Sequence, residues 1–209
     1  MSATNTAAAP WLLVMNCGSS SIKYQLIELS SQRWQLKGLL ENIGAHARHK
    51  ITRRFTSHEE TEHLDVTCPD AAAALAVIAN TLQSCRDRIA AVGHRVVHGG
   101  DIFTEPLRIT PESLQALAPL DALAPLHNPA NVLGIRMCAE LFPQLPQYAV
   151  FDTAYHATLP AHAYRYAIPD AWHAAGVRRY GFHGTSHRYI ARKTAEWLNK
   201  PLHATSLIS

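Results

Sequence analysis

The period of the hydrophobic positions changes along the chain. Residues 11–15 form an apolar run and Ile22-Lys23-Tyr24-Gln25-Leu26-Ile27 alternates, with Asn16-Cys17-Gly18-Ser19-Ser20-Ser21 between them. Apolar run, polar turn and alternation predict a β-hairpin with strands over 11–16 and 22–29. Ser30-Ser31-Gln32 reads as a turn, and 36–43 and 49–55 continue the meander. The segment 56–67 is polar and acidic, which predicts a loop or an edge strand. The period then lengthens. Asp70 is placed to cap a helix running to Arg86, with Leu75, Ile78 and Leu82 on one face. Residues 89–98 read as a strand ending at Gly99-Gly100. Thr110-Pro111-Glu112 carries a cap followed by proline at the first helical position. Asn128-Pro129 repeats that signal and opens a helix through Val132, Ile135, Met137 and Leu141, stopped by Pro143 and Pro146. Residues 148–151 form a short buried strand leading to Asp152, and 155–179 show a mixed pattern. Thr185 or Ser186 caps a last helix to Leu198, with Ile190, Thr194 and Trp197 on one stripe, and 203–209 reads as the first half of a strand. A meander followed by alternating strands and helices predicts an α/β fold with a mixed sheet.

Composition narrows the function classes. With 209 residues, 47% hydrophobic and 17% charged, the chain has material for a sizeable core. A net charge of +3 gives no ground for a nucleic-acid partner or a membrane surface. The longest apolar run, 71–79, is too short to span a bilayer. Residues 1–10 are small and polar, with no basic segment before the apolar run. They read as a loose, flexible tail and not as a signal peptide. Four cysteines at 17, 68, 85 and 138 lie far apart without a C-x-x-C, as expected of free thiols in a cytoplasmic protein. The 13 histidines are scattered, so their number says nothing about metal.

Candidate chemistry sits in the turns and strand ends. In the first hairpin, backbone amides and the hydroxyls of Ser19 and Ser21 can cradle phosphate, Gly18 permits close approach and Lys23 adds charge. A plain Ser-rich hairpin fits equally. It is not a Walker loop: Ile22 stands where the second Gly belongs and Tyr24 follows the Lys. In Gly93-His94-Arg95-Val96-Val97-His98-Gly99-Gly100, Arg95 and Val97 share a strand face, a cation beside a methyl surface, which suits a small carboxylic acid. Polar residues of an edge strand are the other reading. Leu126 and His127 precede a helix N-terminus, where Asn128 reads as a cap. Asp152 stands at the end of a buried strand, where α/β sheets place ligands. Phe182 and His183 lie between Gly181 and Gly184 just before a helix, whose N-terminus favours anions. His94 and His98 are roughly 13 Å apart on an extended strand, too far for one metal. Gly184 speaks against His183 and His187 as a zinc pair on one helix, and no Glu follows His183.

Taken in order, NCGSSSIKYQLI, GHRVVHGG, APLHNPANVLGI, VFDTAYHATLP and RRYGFHGTSHRYI resemble the acetate kinase family over almost the whole chain from Trp11 onward. The resemblance implies an actin-like, sugar-kinase-like fold of two ribonuclease-H-like domains with nucleotide between them. Residues 11–154 would be the first domain and 155–209 the opening of the second, truncated. It implies reversible, ATP-dependent phosphorylation of acetate to acetyl phosphate with Mg²⁺, and a homodimer for full-length members. Propionate kinase shares these motifs and differs in pocket size. An incomplete fragment without catalysis is a third expectation, because the family's second arginine, adenosine pocket and magnesium-binding Glu lie beyond the matched blocks.

The resemblance also implies roles. Asn16 corresponds to a magnesium-site residue and Lys23 to an ATP contact. Arg95 corresponds to the substrate-carboxylate arginine, and Val97, Leu126 and Phe182 to walls of the methyl pocket. Asp152 matches a catalytic acid/base and His183 a transition-state stabiliser. Carboxylic acids are ionised at neutral pH, so acetate needs no general base, and the chemistry of Asp152 is better met by orienting magnesium or its waters.

Overall fold

The computed structural model describes residues 10–209, so all of the expected tail except Pro10 lies outside the described residues. Among the described residues, β1 (Trp11–Cys17), β2 (Ser21–Glu28), β3 (Trp34–Glu41), β4 (His46–Arg54), β5 (Glu59–Thr67), β6 (Ile89–Val96), β7 (Leu107–Arg108) and β8 (Gln147–Phe151) form one sheet. The strand order is β5-β4-β3-β2-β1-β6-β8-β7. The first five strands are an antiparallel meander, while β1 with β6 and β6 with β8 run parallel. The mixed sheet expected from the sequence is present. The polar segment 56–67 turns out to be an edge strand: nearly every residue of β5 is exposed. Cross-strand pairs such as Arg53–Glu62 at 3.1 Å and Thr52–Thr61 at 3.0 Å join it to β4.

Alternation decides which side of the sheet is core. Leu13, Met15 and Cys17 of β1 and Ile22, Tyr24 and Leu26 of β2 are buried, whereas Val14 and Asn16 face the other way. The buried side is covered by α1 (Ala71–Leu82) and by α3 (Asn128–Leu141), which lies on β1 and β6; α2 (Pro111–Leu117) adds Leu117 to a second buried cluster with Phe151. Asp70 caps α1 as expected, its carboxylate accepting from the amide of Ala73 at 2.8 Å, but the α-helix stops at Leu82 and a 3-10 turn, Gln83–Arg88, replaces the last expected turn. Asp70→Ala is expected to cost about 1 kcal/mol and to lower the thermal midpoint by about 2–4 °C; an unchanged melt would deny the cap its role.

Buried histidines make the fold acid-sensitive. His94 is buried against Gln147, donating from Nε2 to Oε1 at 2.6 Å, and desolvation lowers its pKa to about 4. Burial also lowers the pKa of His49 and His98. The unfolded chain therefore takes up these protons first as pH falls. Stability is fully present above about pH 6.5 and is lost as pH falls from about 6.5 toward about 4. The urea midpoint should fall across that window. A His94→Gln variant, if it retains the contact to Gln147, should show a shallower fall; an identical slope would contradict the assignment.

One sequence expectation fails in the last segment. The remaining helices are α4 (Ala161–Tyr164), α5 (Asp170–Ala174) and α6 (Gly184–Trp197). Residues 203–209 do not form a strand: Leu202–Ala204 is a 3-10 turn and Ile208 is fully exposed. A strand needs a hydrogen-bonded neighbour, and no described strand lies beside this segment. The stripe of α6 that carries Ile190, Thr194 and Trp197 is open, with Trp197 84% exposed and Ile190 41% exposed.

Candidate active site

The parallel ends of β6 and β8 build the site. Along β6, Val92, His94 and Val96 point into the core, which turns Arg95 to the opposite side. Val97 and Asp152 lie one residue past their strands, and the amide of Asp152 donates to the carbonyl of Val96 at 3.0 Å, extending the ladder. Arg95 and Asp152 consequently meet. Nε of Arg95 donates to Oδ1 and Oδ2, both at 3.1 Å, and Nη2 donates to Oδ2 at 2.6 Å. Nη1 donates to Asn16 Oδ1 on β1 at 3.2 Å. Asp152 is 1% exposed while the Arg95 side chain is 33% exposed, so the carboxylate is the buried anchor and the guanidinium is its solvent-reaching end. A guanidinium carries five N–H groups. After these contacts, one N–H on each terminal nitrogen has no partner among the described residues.

In front of Arg95 lies an open cleft of about 390 Å³. Arg95, Val97, Leu126, Asp152, Phe182 and His183, six of the residues singled out in the sequence, line it together, and Leu123, Ala124, Pro125 and His127 complete its wall. Leu126 is 78% exposed and Phe182 45% exposed, so these two form the rim and Val97, buried, the floor.

Two asparagines hold this wall, and one of them does not have the role expected of it. Asn128 does not cap α3: position 127 is the cap and Asn128 is buried one residue in. Its Oδ1 accepts from the amide of His98 at 3.1 Å, and its Nδ2 donates to the carbonyls of His98 at 3.0 Å and Leu120 at 3.3 Å. Asn131, one turn on, accepts from the amide of Val97 at 3.0 Å and donates to the carbonyl of Cys17 at 2.5 Å. Backbone amides at a strand end must find acceptors, and these side chains supply them. The signal was present in the sequence as two asparagines three residues apart on an otherwise apolar helix face.

His183 also departs from expectation. Neither Thr185 nor Ser186 caps α6; His183 occupies the cap position with φ 56°, in the left-handed region. The first helical amide, Gly184 N–H, donates to the Asp152 carbonyl at 2.8 Å, so that amide is engaged within the protein. A side chain at Gly184 would run into that carbonyl and approach Tyr155 Cβ to 2.8 Å, which is why the close approach needs glycine. The His183 side chain is largely exposed, with Nδ1 3.8 Å from Asp152 Oδ2, an electrostatic contact beyond hydrogen-bond reach.

The first hairpin forms as expected, closed by Gly18 N–H donating to the Ser21 carbonyl at 2.8 Å. Ser19 and Ser20 are exposed at its tip. Lys23 does not line the Arg95 cleft; it borders a neighbouring groove of about 420 Å³ together with Asn16, Lys37 and Lys50. Asn16 thus touches both regions. Magnesium is commonly held by one or two carboxylates with phosphate oxygens and water. Asn16 Oδ1 and Asp152 are the nearby oxygen donors, both already accepting from Arg95, and among the described residues no group of three His, Cys, Asp or Glu stands ready for a metal. That donor set fits an ion delivered with a phosphate chain and not a resident ion.

Comparison with known proteins places the chain in a family. A family model described as Acetokinase family matches residues 11–209. The acetate kinase of Deinococcus radiodurans is 47% identical over 202 residues, covering 95% of this chain and 50% of that protein. The acetate kinase of Thermotoga maritima is 45% identical over 206 residues, again covering 95% of this chain and 50% of its own length. The crystal structure of Porphyromonas gingivalis acetate kinase superposes with a TM-score of 0.85 at 40% identity, over 93% of this chain and 50% of that one. A propionate kinase from Francisella tularensis gives 0.82 at 39% identity, over 91% and 50%. The chain spans about half the length of the curated relatives it matches. The sheet, with its helices, is the first domain of the actin-like fold of these kinases. On the strength of the family match across residues 11–209 and of these likenesses, the chain belongs to the acetokinase family.

Proposed function

We propose that this chain supplies the carboxylate-binding side of an acetate kinase, which transfers the γ-phosphoryl group of ATP to acetate and forms acetyl phosphate and ADP. The observation that carries this reading is the convergence of Arg95, Val97, Leu126, Asp152, Phe182 and His183 on one cleft. A guanidinium with two N–H groups to spare beside a short apolar wall suits a carboxylate with a small alkyl group. Acetate is ionised at neutral pH, so its oxygen attacks without a base. Asp152 then serves as the anchor that aims Arg95, not as a proton acceptor. His183, at the rim, offers a ring N–H to the phosphoryl oxygens as they move between donor and acceptor. Lys23 and the hairpin of Gly18, Ser19 and Ser21 hold the phosphate chain of ATP in the adjoining groove. Mg²⁺, held by Asn16 with Asp152 and the phosphates, would neutralise the charge of the transferring group. Residues 11–154 act as the first ribonuclease-H-like domain and 155–209 as the opening of the second, in a cytoplasmic protein of a family whose full-length members dimerise.

Propionate is the second substrate to test, because a propionate kinase is among the similar structures. One added methylene is worth about 1–3 kcal/mol of discrimination, so propionate is expected to bind more weakly without being excluded. Val97→Ala deepens the floor and should move the ratio of propionate to acetate affinity toward propionate. Competition between the two acids, followed by NMR of the Leu126 methyl groups in both proteins, measures it. A ratio that stays put would make Val97 a core residue only, and no saturable response to either acid would overturn the reading.

A further inference from the structure

We infer that His156 is a positioning residue for the Phe182–His183 turn, and through that turn for the acyl cleft; the inference rests on the function proposed above. His156 lies in the 3-10 turn Ala154–Thr158, four residues beyond Asp152. Its Nε2 stands 3.0 Å from the carbonyl oxygen of Phe182. A carbonyl only accepts, so Nε2 carries the proton and donates. The imidazole sits against the chain so closely that a side chain at Gly181 would come within 2.5 Å of the ring.

The consequence follows from which peptide is held. The Phe182 carbonyl belongs to the peptide unit that precedes His183, whose φ is 56°. The peptide unit that follows is held by Gly184 N–H donating to the Asp152 carbonyl at 2.8 Å. Both peptide planes flanking the left-handed residue are therefore fixed by one short segment, 152–156, which also carries the Asp152 carboxylate. A non-glycine residue persists in that region only when its surroundings over-determine it. His98 braces the same turn from the other side, its ring 4.5 Å from Tyr180 and 5.7 Å from Phe182, but through ring contacts alone. The His156 bond is thus the directional tie that keeps the Phe182 ring on the cleft wall and His183 within 3.8 Å of Asp152. Without it, the first peptide plane is free to rotate and His183 can relax to negative φ, taking both side chains out of the cleft.

The test compares His156→Leu, which removes the donor, with His156→Gln, whose side-chain amide can reach the place of Nε2. Acetate affinity of the 209-residue chain is read by NMR titration, the sign of the His183 φ from backbone couplings, and integrity from the melt. His156→Leu is expected to bind acetate about ten-fold more weakly, as expected for lost preorganisation, and to lose the positive φ at His183. His156→Gln should stay within about three-fold of the wild type and keep the positive φ. Wild-type affinity with an unchanged φ in His156→Leu, or equal impairment in both variants, would overturn the inference. If the wild-type chain itself fails to bind acetate, the proposed function falls, while the φ readout still decides the role of His156.

Discussion

Arg95→Ala is expected to abolish measurable acetate binding and to destabilise the fold, two effects with one cause. Asp152 is 1% exposed and Arg95 is the cation that compensates it. Removing one partner of a buried pair leaves an uncompensated charge, at a cost of roughly 3–5 kcal/mol. Because Arg95 is one-third exposed, water can enter the vacated space, and about 3 kcal/mol is the better expectation. For a chain of this size that lowers the melting midpoint by about 6–12 °C. Arg95→Lys separates the two effects. An ammonium keeps the charge beside Asp152 but not the planar fork, so stability should largely return while acetate binding recovers only in part. A melt unchanged in Arg95→Ala, or full recovery of binding in Arg95→Lys, would contradict the double role.

Gly184→Ala is expected to disturb the site almost as strongly without changing a charged group. The new methyl would collide with the Asp152 carbonyl and stand 2.8 Å from Tyr155 Cβ, both parts of a packed backbone with no flexible end to yield. Overpacking of this kind costs about 1–3 kcal/mol. Relief would require α6 to withdraw from the end of β8, breaking the 2.8 Å bond between Gly184 and Asp152 and carrying His183 away. Acetate affinity should fall with stability. As a control, alanine at Gly93 has nothing within 4 Å to meet and should leave the melt nearly unchanged. If Gly184→Ala behaved like Gly93→Ala, α6 would not be fixed to Asp152 as described.

What the sequence revealed was what is local. The 11–16 and 22–29 hairpin, the Asp70 cap, the Thr110–Pro111 start, the strand that carries Arg95 and the strand that leads to Asp152 follow from periodicity and capping chemistry within a few residues, although the former ends at Val96 and not at 98. Shared strand faces correctly put Arg95 and Val97 on one wall. Contacts made at long range stayed hidden. Asn128 looked like a cap because its partners, His98 and Leu120, are far away in sequence. Arg95 was read only with its strand neighbour Val97, and its ion pair with Asp152, 57 residues on, has no local signal. The left-handed His183 replaced a Thr or Ser cap because the Asp152 carbonyl already satisfies the first amide of α6. The strand expected at 203–209 failed for lack of a neighbour, which no local pattern can supply.

The measurement closest to the central claim is a set of intermolecular NOEs between ¹³C-methyl acetate and the 209-residue chain. A carboxylate clamped by Arg95 must direct its methyl group at Val97, Leu126 and Phe182, with the exchange-protected N–H signals of Arg95 shifting at saturation. The expected result is methyl NOEs to those three side chains and their loss in Arg95→Ala. NOEs confined to the groove of Lys23, Lys37 and Lys50, or binding that survives Arg95→Ala, would contradict the assignment of the cleft to the acyl substrate.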